Sequence, residues 1–491
     1  MTPAPGPQTG APAAGAHRGV TAAPAPSAPG RWTDSTRRIL PLAWPVVVGQ
    51  VAMLSYATLD TLLVARSSAA DLAALAVGGA AYITIFIGLM GVLMALAPIV
   101  GQLYGAGRHV EAGRQVHQAV YIALGLGALG STLLLLPQPF LLLARAGPEV
   151  SERVHGYLLA LACSLPASLM FTIFRAFNTA VSRPKEAMKL QLAVLLALKL
   201  PLTPLLVLGA PALGLPALGV LGCGVATAVA MWAQAIAAGV MLRRDPFYAR
   251  FQLLGHGLQP PDRSALLHHL KLGVPMGAGI LVEVTAFTFM ALFISRLGTT
   301  PVAGHQLAIN LVSVLFMVPF GLGNATGTLV AQHVGAGEWR QARRLGWHGL
   351  LVGTGLAALM GAGVYLLREP LLGLYTSDTA VLAAALPLVA WLALFHAADA
   401  AQTIAAFVLR AHKIATVPML IYVAALWGVG LGGGYQLAFN VSGRVPTALQ
   451  GAPGYWFAAT AGLVLAGVAL GGFMWWVFRA QQRDRGVSQP G

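Results

Sequence analysis

Charge is what this sequence has least of. Asp, Glu, Lys and Arg make up 9% of 491 residues, against about 25% in an ordinary soluble domain, so a water-facing globular surface is excluded. Acidic residues are the scarcest, 15 against 30 Lys and Arg. Cysteine is nearly missing: only Cys163 and Cys223 occur, both in apolar stretches. Neither a disulfide framework nor a Cys-based metal site follows. There is no HExxH, no paired CxxC, no Asp-rich diphosphate motif and no GxxxxGK[ST] loop, which disfavours a membrane enzyme or an ATP-driven pump. No cofactor is expected.

Apolar residues, by contrast, make up 57% of the chain. Stretches of roughly 20 apolar residues recur, each long enough to cross a ~30 Å hydrocarbon core as a helix. Twelve are read, near 40–65, 72–101, 117–137, 154–175, 186–208, 217–241, 266–295, 302–331, 347–367, 381–409, 414–437 and 455–478. The net charge of +15 could point to nucleic acid, but its distribution points to a bilayer. The tails and the loops on their side hold 23 Lys and Arg, the opposite loops 6, and Lys199 lies within a span. This asymmetry predicts a multi-pass membrane protein with both termini in the cytoplasm.

The segments then divide as follows. Residues 1–33, rich in Pro, Ala, Gly and Thr, cannot bury a core and are expected to be disordered. They lack a signal-peptide apolar run, so the first span would serve as the insertion signal. Residues 34–241 form one six-helix bundle and 242–265 a cytoplasmic connector. Residues 266–478 form a second bundle and 479–491 a cytoplasmic tail. In the connector region Leu266, Leu267 and Leu270 share a face with basic neighbours, the pattern of a short interfacial helix.

The two bundles are copies. Gln102 matches Gln332, and Gly105-Ala106-Gly107 matches Gly335-Ala336-Gly337, at an offset of 230. Pro45 and Pro275, Arg66 and Arg296, and Ala73 and Ala303 keep that offset. A weaker match pairs Phe174-Arg175-Ala176 with Leu409-Arg410-Ala411 at 235, read as a small insertion. Six spans per copy give the halves one orientation, related by a pseudo-two-fold along the membrane normal, with a cavity between them. The fold class is all-α integral membrane, twelve helices in two pseudo-symmetric bundles. That architecture argues for a transporter over an embedded enzyme or receptor. The Gly-Ala-Gly segments lack a phosphate-loop Lys and read as tight turns.

Three carboxylates fall well inside spans: Asp60, Glu283 and Asp399. A charge at mid-bilayer costs at least ~2.5–3.5 kcal/mol, so such residues face a cavity or a partner. Lys199 is the one basic residue read inside a span, between Leu198 and Pro201, and Asp60 is its natural partner. His305, beside Gln306, and His396, three residues before Asp399, could relay protons or bind a cation, although a packing role competes for each. Three buried carboxylates against one lysine favour cationic cargo over that of a lipid-linked sugar flippase.

These residues are similar to the multidrug and toxic compound extrusion (MATE) family, in its bacterial NorM-type branch. The likeness lies in Leu59-Asp60-Thr61, Pro98…Gln102…Gly105-Ala106-Gly107, Gly219–Thr227, Gly273-Val274-Pro275…Glu283, Val302–Asn310 and Ala398-Asp399…Gln402…Leu409-Arg410. It implies an antiporter that expels organic, often cationic, amphiphilic compounds and drugs in exchange for sodium ions or protons. It further implies cation coupling at Glu283 and Asp399, which would ligate sodium if sodium is the ion, and at Asp60. Relatives often carry Asn where this chain has Lys199 and again where it has Thr203. Lys199 could therefore neutralise Asp60. Lys199, His305, Gln306 and His396 are the expected modulators. The chain is expected to act as a monomer in the lipid bilayer, without nucleic acid.

Overall fold

The computed structural model describes residues 32–486 except 145–146, 212–213 and 254–256. The expected disordered tail thus lies outside the described residues apart from Trp32 and Thr33, which open the first helix. Twelve helices are long and apolar enough to span a membrane. They are α1 (Trp32–Val64), α2 (Ala69–Gly105), α3 (His109–Leu135), α4 (Pro148–Ala180), α5 (Pro184–Val207) and α6 (Gly219–Arg244). The second six are α7 (Arg263–Ser295), α8 (Thr299–Gly335), α9 (Trp339–Leu366), α10 (Leu392–Ala411), α11 (Thr416–Ala438) and α12 (Ala452–Arg483). No β-strand occurs among the described residues beyond one isolated bridge, Ala210 with Leu215. In hydrocarbon only a helix satisfies every backbone N–H and C=O within its own segment, so apolar runs of this length must be helical.

Local chemistry sets the helix ends. Ser68, Asp262 and Asp378 accept backbone N–H groups at the starts of their helices, and Pro148 and Pro184 open α4 and α5 where no N–H is needed. The Gly-Ala-Gly turns close α2 and α8 identically. Arg108 N–H reaches Leu103 O and Gly107 N–H reaches Tyr104 O; Glu338 N–H reaches His333 O and Gly337 N–H reaches Val334 O. Gly107 and Gly337 have φ of 73° and 76°, the left-handed conformation that a side chain resists.

The second repeat needs a correction. Left-handed Ser182 ends the α4 turn and left-handed Lys413 ends the α10 turn. Arg183 N–H to Asn178 O matches Ile414 N–H to Leu409 O. The true offset there is 231, not 235. Pairing the two Arg-Ala dipeptides misplaced the copies by four residues. That is close to one helical turn, so the arginines still lie on equivalent faces.

Two apolar cores result. One gathers buried residues from Leu63 to Leu253; the other runs from Ala286 to Phe478 and takes in Ile39 and Ala43 of α1. The connector packs a short 3-10 turn, Pro246–Phe251, into the first core through Tyr248 and Phe251. The expected interfacial helix is the opening of α7, where Leu266 and Leu270 lie on the first core and Leu267 is exposed. The helix in the expected C-terminal tail continues to Gly486.

The halves meet as α1 on α8 and α2 on α7. Gly321 packs on Ala43 and Val47, and Gly91 on Gly277. Among the described residues the close glycine contacts between halves run from the terminus-side ends up to Gly88 and Leu281, near mid-span. The halves are therefore sealed on the side of the termini.

Candidate functional site

In the first half Asp60 (α1) and Lys199 (α5) form a buried ion pair, Nζ to Oδ1 2.7 Å. Lys199 is fully buried and donates to Thr227 Oγ1 of α6 at 2.7 Å. Its ammonium also lies 5.9 Å from the Tyr56 ring, and Tyr56 Oη accepts from Gln234 at 2.7 Å. Pro201, two residues on, has no N–H for the i→i−4 ladder. Leu195–Lys199 winds as a π-helical turn, with Leu200 N–H bonded to Leu195 O. Helix α11 carries a longer π segment, Val423–Gly433, in the matching region of the second half. Neither irregularity was legible in the hydropathy.

In the second half Glu283 (α7) and Asp399 (α10) share one donor. Gln402 Nε2 gives hydrogen bonds of 2.9 Å to Glu283 Oε1 and 2.9 Å to Asp399 Oδ1. The two accepting oxygens are thus no more than twice 2.9 Å apart. Gln402 lies one turn after Asp399 on α10, which the i, i+3 spacing arranges. Its Oε1 is buried and unpaired. Neither carboxylate has a Lys, Arg or His nitrogen within 4.0 Å among the described residues. Two carboxylates and an orphaned amide oxygen are the hard-oxygen set that a sodium ion takes. The amide N–H now stands between them, so a cation shared by both carboxylates requires that amide to turn or withdraw.

The expected modulators spread out. Lys199 pairs as above. His305 accepts at Nδ1 from Trp456 Nε1 at 3.2 Å, a packed arrangement. Gln306 is exposed and bonds to Asn310 on its own helix. His396 is fully buried, and neither ring nitrogen has a partner.

The expected cavity between the halves is present, and what sequence reasoning missed is the charge that lines it. An open cavity of about 850 Å³, its mouth included, lies between the halves, lined by residues of α1, α2, α4, α5, α7, α8 and α10. Arg175 and Arg410 both line it, and no carboxylate does. The sequence places both at span ends, Arg175 as the last residue of 154–175 and Arg410 just past 381–409. The helices run past them, to Ala180 and Ala411. The buried charge is therefore not three carboxylates against one lysine. The signal was the pair of arginines near the ends of matching spans.

Beneath this cavity the repeated glutamines cross between halves. Gln102 Nε2 donates to Ala411 O at 2.8 Å, and Gln332 Nε2 to Ala180 O at 2.7 Å and Ser182 Oγ at 2.8 Å. A Cβ on Gly105 would collide with the Gln332 backbone, and one on Gly335 with the Gln102 backbone. The motif read as a tight turn is thus also the closing surface between halves.

The family model MatE matches residues 45–205 and again 275–435, two stretches that begin and end 230 apart. This chain belongs to the MatE family. A "Probable multidrug resistance protein NorM" of Aromatoleum aromaticum is 38% identical over 91% of this chain and 94% of its own length. The "Multidrug resistance protein PmpM" of Pseudomonas aeruginosa is 33% identical, over 88% and 90%. Among solved structures, the Vibrio cholerae MATE transporter VcmN in its bent form superposes with TM-score 0.80 at 19% identity, covering 91% of this chain and 98% of that one. The eukaryotic MATE transporter AtDTX14 gives TM-score 0.80 at 20% identity, over 92% and 99%. The chain is a MATE multidrug efflux transporter and not an enzyme.

Proposed function

We propose that this MATE transporter expels organic, mostly cationic, amphiphilic compounds in exchange for sodium ions or protons held at Glu283 and Asp399. One observation carries the coupling: two deep carboxylates share a single amide nitrogen, that of Gln402, and among the described residues have no cationic partner at salt-bridge distance. An empty pair is costly to occlude in a low-dielectric interior, and a bound cation or proton removes that cost. A cationic group on the cargo would relieve the same charges. Ion and cargo then compete, which gives exchange without contact between them. Asp60 in the first half is held by Lys199, which supports coupling through the second half alone. The charge asymmetry supports termini in the cytoplasm of the inner membrane. On that orientation the glutamine seal is cytoplasmic and the cavity faces outward.

The test is dye efflux from proteoliposomes with a sodium gradient and a proton gradient imposed separately. Efflux should follow one cation gradient and stop when that gradient is collapsed. Transport indifferent to both gradients would overturn the exchange.

A further inference from the structure

The cavity and the coupling carboxylates lie at different depths, and their charges are opposite. Asp399 and Arg410 sit on α10 eleven residues apart, about 16 Å of helical rise. We infer that the cavity takes an acidic group of the cargo, a carboxylate or similar anionic oxygen, on Arg175 and Arg410. This rests on the efflux reading and specifies what the cargo can carry besides a positive charge.

Arg410 is 7% exposed and lines the cavity. Its guanidinium lies 5.3 Å from the Phe407 ring centroid, and among the described residues no carboxylate lies within 4.0 Å of it. Arg175 donates to Gln50 Oε1 at 3.0 Å and to the sulfurs of Met53 and Met90 at 3.3 Å. These acceptors are neutral, and thioether sulfur is a weak one. Two guanidinium charges thus face one cavity with no carboxylate in its lining or within 4.0 Å among the described residues. Glu283 feels the charge of Arg410 from outside the lining. Burying such charge is costly unless an anion or water completes it. A guanidinium presents a planar fork of donors that matches a carboxylate, which a point-charge ammonium does not.

The remaining lining suits the rest of such a molecule. Met94, Met188, Met276, Phe320 and Phe407 offer an adaptable apolar wall, and Asn324 Oδ1 is buried without a partner. The ligand class is an aromatic or aliphatic amphiphile with an acidic group. If it also carries a basic group, that end lies toward Glu283 and Asp399.

The test uses purified full-length protein in detergent and two dyes of one xanthene frame. Rhodamine B has a free carboxylate; its ethyl ester has none. Fluorescence anisotropy reads binding without any gradient. The acid should bind about tenfold more tightly than the ester, the scale of hydrogen bonds between charged partners. Arg175→Gln and Arg410→Gln should each erase most of that preference and leave ester affinity within about twofold. Arg410→Lys should keep part of it. Should the variants not fold, the wild-type acid-to-ester ratio decides, and it should shrink with added salt. Equal affinity of the two dyes in wild type, or equal losses for both in the variants, overturns the site. Failure of the exchange reading is separate: acid preference would persist in a protein whose efflux ignores every gradient.

Discussion

Asp60 in the first half meets an ammonium at 2.7 Å, whereas Glu283 and Asp399 in the second half meet only an amide. The scaffolds are copies, down to the hydrogen bonds of their turns. The difference is electrostatic. The first half brings its own counter-ion on α5, so its deep carboxylate is already paired in this structure. The second half leaves two charges for something mobile to satisfy. The proposed ion coupling therefore falls to the half whose carboxylates lack a fixed cationic partner.

The largest effect should come from removing the open charges. Glu283→Gln or Asp399→Asn is expected to reduce gradient-driven efflux in proteoliposomes to the level of protein-free vesicles, with the protein still monodisperse in detergent. Full transport in either variant would refute the contrast between halves.

Next is the closed pair. Lys199→Ala leaves Asp60 buried and unpaired, at a cost of ~3–5 kcal/mol. The double change Lys199→Asn with Asp60→Asn replaces both charges and should cost far less. Thermal unfolding in detergent, alongside efflux, checks this. Similar behaviour of single and double variants would show that Asp60 does not depend on Lys199, which would reopen Asp60 as a coupling site.

A smaller effect distinguishes the halves at the seal. Gln332 makes two bonds across it and Gln102 one, each worth ~1 kcal/mol. Gln332→Ala should open the terminus side more than Gln102→Ala does. The readout is labelling of Asn324→Cys, in a background lacking Cys163 and Cys223, by an impermeant maleimide applied from that side. Equal labelling in both variants would remove this asymmetry.

The smallest belongs to the connector. The Phe247 N–H and the Arg183 guanidinium, 2.7 Å away, hold the Asp245 carboxyl below its usual range. Its folded pKa is depressed, so its stabilisation is present above the unfolded value of about 3.9 and is lost as pH falls through the folded value. Hydrogen exchange over residues 246–251 should quicken in that acid window. Asp245→Asn should flatten the dependence; an unchanged profile would count against it.

The twelve spans were legible because hydrocarbon leaves an apolar segment few choices, and Asp60 with Lys199 because an intramembrane charge demands a partner. The closeness of Glu283 and Asp399 came from family likeness, and spacing alone could not have set α7 against α10. Gln402 went unassigned because an amide carries no charge to mark its depth. Arg175 and Arg410 were misassigned for a different reason. Hydropathy ends a span at the first charge, while the helix continues until a turn stops it, at Ser182 and Lys413. Where a charge near a span end points is a packing fact, invisible to a sliding window.

The glutamine seal has one more consequence. Gln102 reaches Ala411 while Gln332 reaches Ala180, partners that are themselves equivalent residues. This is the geometry of an isologous dimer interface, folded into one polypeptide. A single six-helix unit meeting its own twin would have gained both locks from one sequence. Within one polypeptide the two copies need not match in sequence, and they do not at the deep carboxylates, where only the first half sets a lysine against its aspartate.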